Sequence, residues 1–132
     1  MDIWLDWKVL NRILKEKENV YFFGRSEDWV PKTLNKLKKD KFTLTILDNN
    51  PFYNNTSFLS LNVKNPKVLE KFNLEKDFVI ITAEPETIIP ELEKYNLLPG
   101  KNFCCTPEIK EWGKLQEIKK NSSNIIFSSS DY

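Results

Sequence analysis

Three short runs constrain this chain most: NVYFF at 19–23, FTLTIL at 42–47 and FVIIT at 78–82. NVYFF shows no apolar–polar alternation, which predicts a strand buried on both faces, as in a parallel sheet. Between the runs, apolar residues recur three and four apart, the spacing of amphipathic helices. One stripe joins Ile3, Trp4, Trp7, Leu10, Ile13 and Leu14, with Asp2 as its cap. A second, over 28–39, carries Trp29, Val30, Thr33, Leu34 and Leu37, with Asp28 as N-cap and Pro31 tolerated in the first turn. FLSLNV at 58–63 alternates and reads as a third strand, after which Asn65 and Pro66 open a short helix bearing Val68, Leu69 and Phe72. Ile88, Ile89, Leu92 and Tyr95 mark a helix over 85–95, residues 103–105 a last short strand, and 107–119 a final helix with Trp112 and Leu115. Strands alternating with helices predict an α/β fold: three layers, a mainly parallel sheet of about five strands, and helices on both faces.

The chain then divides into an N-terminal amphipathic helix (1–18), an α/β domain (19–120) and a Ser-rich tail (121–132) that reads as a linker into a following segment. The first helix, with Trp4 and Trp7 on one stripe, packs on the domain's own sheet or forms a homodimer or partner contact.

Several function classes fall away on composition. Twenty basic residues against nineteen acidic leave a net charge of +1, without the basic excess of a nucleic-acid or anionic-membrane binder. The chain has no histidine, which removes Ser-His-Asp triads, Cys-His dyads and most zinc sites. No apolar run approaches the ~20 residues of a membrane span. The N-terminus carries Asp2 and Asp6 where a secretory signal has a basic start. Cys104 and Cys105 are adjacent, poor geometry for a structural disulfide. Together these features predict a reducing cytoplasm.

In a parallel sheet, ligands gather at the carboxyl ends of the strands, beside the point where strand order reverses. That rule selects the loops 24–28, 48–56, 82–86 and 104–107. The first reads Gly24-Arg25-Ser26-Glu27-Asp28. Gly24 either turns the chain or lets backbone approach a phosphate, and Arg25 either grips an anion or pairs with Glu27 or Asp28. Asp48 closes the second strand 24 residues after Gly24, the position of a ribose-binding carboxylate. With Asn49 it could equally form an Asx turn. Thr82 could bond a ligand or cap a helix, and Phe52 and Tyr53 could stack on a base or fold over the sheet. Glu84 and Glu86 read as charges favouring a helix N-terminus rather than a metal or acid–base pair. The two cysteines, with Lys101 the nearest cation, read as core residues rather than nucleophiles. The lysine-rich stretch 36–41 reads as a solvated helix end.

VYFFG, FTLTILDNNP, FVIIT and YNLLPGKNF together resemble a Rossmann-like, NAD(P)-binding-type module found N-terminal in bacterial surface-sugar and methyltransferase-associated proteins. The resemblance spans about residues 19–106. It implies a glycine loop at Gly24, Arg25 and Ser26, a ribose acid at Asp48, and a nucleotide such as NAD(P) or S-adenosylmethionine. It also implies an N-terminal module whose catalytic partner is an adjacent domain. The chain departs from the family pattern where later glycines give way to Glu27, Asp28 and Trp29. The expectation is a nucleotide-recognition domain, not catalytic alone, with ligand-binding residues Gly24, Arg25, Ser26, Asp48, Asn49 and Thr82. The alternative is a degenerate domain that has become an interaction or dimerisation module.

Overall fold

A computed structural model of the chain describes residues 2–38 and 41–109. Six strands form one sheet: β1 Asn19–Phe23, β2 Thr43–Leu47, β3 Ser57–Phe58, β4 Leu61–Lys64, β5 Asp77–Ile81 and β6 Phe103–Cys105. Their order across the sheet is β3-β4-β2-β1-β5-β6. Every pairing is parallel except the hairpin of β3 with β4. The alternating run at 58–63 is therefore two strands, not one. Leu59 and Ser60 turn between them with positive φ of 52° and 67°, the twist that two-residue hairpins favour.

Burial divides by alternate residues, as a pleated sheet requires. Val20, Phe22, Ile46, Val63, Phe78, Ile80 and Cys104 face one side. There they meet Leu10 and Leu14 of helix α1 (Trp7–Leu14) and Val30 of helix α2 (Trp29–Lys36). Phe23, Leu47, Val79, Ile81, Phe103 and Cys105 face the other side. Ile88 and Leu92 of helix α3 (Pro85–Lys94) and Leu69 of the 3₁₀ segment Pro66–Lys71 cover them. All five residues of β5 are buried. The result is the expected three-layer α/β fold, with an antiparallel edge hairpin added.

The N-terminal stripe differs from expectation. The helix begins at Trp7, and its cap is Asp6, whose carboxylate accepts the Val9 N–H at 2.8 Å. Asp2 instead accepts the Trp4 N–H. Residues 2–6 precede the helix and run beside β6, where the Ile3 carbonyl accepts the Cys105 N–H at 2.9 Å. Trp4 consequently packs on the α3 face of the sheet and Trp7 on the α1–α2 face. The single contact face expected of the two indoles is not formed. Trp7 also spends its indole N–H on Glu108, at 2.8 Å. The expected helix beyond residue 109, and the tail 121–132, lie outside the described residues.

Candidate functional site at the strand-order reversal

From β1 the chain steps outward to β2 and β4, then returns to place β5 on the other flank of β1. The reversal therefore falls between the carboxyl ends of β1 and β5, where an open α/β sheet leaves its crevice. Gly24 ends β1 there with φ of +122°, which L side chains rarely adopt. Its N–H donates to Leu47 of β2 at 2.8 Å, and its carbonyl accepts the Thr82 hydroxyl at 2.7 Å. Thr82 also donates its N–H to the Phe23 carbonyl at 3.0 Å. Gly24 thus ties three central strands together at their ends. A Cβ on it would collide with the Ala83 methyl, so the close approach that demands glycine here is to Ala83.

Asp48 stands beside this turn, half-buried. One carboxylate oxygen accepts the Arg25 N–H at 3.1 Å and the other the Asn50 N–H at 2.9 Å. The second bond is the expected Asx turn; the first fastens the glycine loop to the end of β2. Each oxygen retains acceptor capacity, because a carboxylate offers about four lone-pair sites. Asn49 points its carboxamide to Glu91 of α3, at 2.9 Å.

Ser26, not Asp28, caps α2. Its hydroxyl oxygen accepts the N–H groups of Asp28 and Trp29, at 3.2 and 3.0 Å, and its carbonyl accepts that of Val30. Asp28 makes no side-chain cap bond, since its backbone has already turned into the helical region. The donors that a pyrophosphate would use at this helix start are therefore occupied from within the chain.

Arg25 lies across the mouth. Its guanidinium carbon sits 4.2 Å from the ring centres of both Tyr53 and Phe58, a pair of cation–π contacts. Glu27 approaches one terminal nitrogen at 4.0 Å, and the buried Nε has no hydrogen-bond partner. Tyr53 therefore folds over Arg25, whereas Phe52 remains 81 % exposed.

The six predicted ligand residues sort by role. Gly24, Arg25, Ser26 and Asp48 come together at the reversal, Thr82 is buried beneath them as a brace, and Asn49 turns toward α3. Sequence reasoning missed Phe58, which no local motif marks because it reaches the site through the sheet order. Ala83 lies in the selected 82–86 loop, but its close approach to Gly24 is visible only in the fold.

The remaining candidates have plainer roles. Glu86 occupies the first turn of α3, and both it and Glu84 are exposed. Burial pushes the Cys105 thiol up to about 12, with the Asp2 charge adding to it. Burial, then the neighbouring Cys105, raises Cys104 well above its ordinary value. Both are neutral core thiols. Among the described residues no group of three His, Cys, Asp or Glu could hold a metal, and no helix is long and apolar enough to cross a membrane.

The strand order, the reversal at Gly24 and the helices on both faces define an α/β protein of the Rossmann-like class. No protein-family model matches the sequence, and no curated protein matches it. Among solved structures, a Rex-family repressor is similar, with 12 % identity, 95 % of this chain and 69 % of that chain covered, and a TM-score of 0.47.

Proposed function

We propose that this chain is a nucleotide-recognition module whose ligand enters at the reversal between β1 and β5, with the Asp48 carboxylate accepting the ribose hydroxyls. The observation that carries the reading is the placement of Asp48: half-buried, at the end of β2, and fixed by the Arg25 N–H against the Gly24 turn. A carboxylate so held can take two hydrogen bonds from a vicinal diol without reorganising. The fit is to a nucleoside rather than to a dinucleotide pyrophosphate, since Ser26 occupies the N–H groups at the start of α2. A nucleotide's negative charge would fall to Arg25, whose planar fork suits phosphate or carboxylate. S-adenosylmethionine and mononucleotides therefore suit the site better than NAD(P). The role extends to a module serving an adjacent catalytic domain in bacteria.

The second reading, a degenerate domain used for interaction, draws on the same loop. Ser26 fills the phosphate position and the Arg25 stack covers the mouth. A thermal-shift panel with S-adenosylmethionine, ATP, GTP, NAD(H), NADP(H) and nucleotide-sugars separates the two. A ligand at 100 times its dissociation constant adds about 2.7 kcal/mol of stability, several degrees for a domain of this size. A shift abolished by Asp48→Ala supports nucleotide recognition; a flat panel on folded protein selects the degenerate module.

A further inference from the structure

A second concavity lies away from the strand-order reversal, between α1 and the end of α2. Its volume is about 580 Å³, and among the described residues that line it none is acidic. Lys8, Asn11, Arg12 and Lys15 line one wall. Their spacing of three, four and seven residues puts them on one face of α1. From Lys8 to Lys15 they extend about 10 Å at 1.5 Å per residue. Lys36 and Lys38 line the opposite wall. The walls are joined where Asn11 accepts the Lys38 N–H at 3.3 Å.

Helix electrostatics account for only part of this charge. Arg12, Lys15 and Lys36 lie near helix C-termini, where cations are favoured. Lys8 lies in the first turn of α1, where a cation is disfavoured; the acid beside it, Asp6 at the N-cap, spends a carboxylate oxygen on the Val9 N–H. Glu108 reaches the rim, but one of its oxygens takes both the Trp7 indole N–H at 2.8 Å and Lys36 at 3.3 Å. Lys8, Arg12 and Lys15 on one wall and Lys38 on the other thus face one concavity, and the Glu108 carboxylate at its edge is already engaged. Asn11 adds two N–H donors between them.

We infer that this groove binds a linear polyphosphate group, one carrying several phosphates in a row. A single phosphate cannot span cations distributed over about two helical turns, whereas a chain of phosphates can engage successive ones. Inorganic polyphosphate, a nucleoside triphosphate tail and a nucleic-acid backbone all present this chemistry. The small polyphosphate is favoured, because the groove is closed on two sides and the chain's net charge is only +1.

The test is calorimetric titration of the full chain with sodium tripolyphosphate, against sodium sulfate at equal ionic strength. Tripolyphosphate is expected to bind and sulfate not. Lys8→Glu with Arg12→Glu, both exposed, should weaken binding about tenfold or more, the scale of reversing two charge-assisted contacts. Circular dichroism checks the fold of that variant, and Lys15→Gln with Lys38→Gln serves if it fails. ATP competing with tripolyphosphate assigns a nucleotide tail as a source. Equal response to sulfate, binding unchanged by charge reversal, or binding of an oligothymidylate but not of tripolyphosphate would each overturn the inference.

Discussion

Gly24 combines two constraints that usually occur apart: a backbone angle of +122° and no room for a Cβ. Gly24→Ala should therefore cost about 3 kcal/mol or more, the sum of backbone strain and overpacking. Adding Ala83→Gly should recover only the methyl's share of the clash, because the Ala83 nitrogen and Thr82 carbonyl carbon would still lie 3.0 and 3.1 Å from the new Cβ, and urea denaturation of both variants would measure it. The two cysteines give a residue-scale prediction with a pH sign. Their folded pKa values are raised, so the unfolded chain releases those protons first. Their contribution is complete below about 9 and is lost as pH rises toward about 12. Stability should fall across that window, and replacing Cys105 by Ala should flatten the fall. At neutral pH, neither thiol should react with a disulfide reagent until urea unfolds the protein.

At the scale of elements, legibility follows how local the determining physics is. β1 and β6 appear at their predicted bounds because short apolar runs have one place to go, a parallel sheet covered on both faces. The first helix was readable as a periodicity but not in its extent. Ile3 and Trp4 fit the stripe by spacing, yet the Ile3 carbonyl bonds Cys105, a partner about a hundred positions away. Pairing with β6 outweighed helix propensity, which tertiary context routinely overrides. The caps moved for a related reason. Asp28 looks right by position, but Ser26 reaches two N–H groups and leaves it nothing to accept. Asp6→Ala should cost about 1 kcal/mol by the loss of the α1 cap. Asp2→Ala should cost far less, since its carboxylate accepts the Trp4 N–H at an exposed position. Thermal melts of the two variants distinguish them.

At the scale of the molecule, strand order brings distant residues into one site. Gly24, Asp48, Phe58 and Thr82 come from the ends or margins of four strands, and only their alternation with helices foretold the meeting. The glycine loop and the acid at the end of β2 were readable because their positions follow from that alternation. The Arg25 stack was not, because Phe58 arrives through a hairpin whose turn has no Gly or Asn to announce it. The basic groove escaped for the same reason, being split between α1 and the end of α2. In the proposed role a nucleotide's ribose meets Asp48 beside Gly24. The most direct measurement is a nitrogen-15 NMR titration with S-adenosylmethionine and then NAD⁺, following backbone amides. The Gly24, Arg25 and Asn50 amides should move first and together, since two of them bond Asp48. Shifts confined to other surfaces, or a silent loop at saturating ligand, would contradict that role.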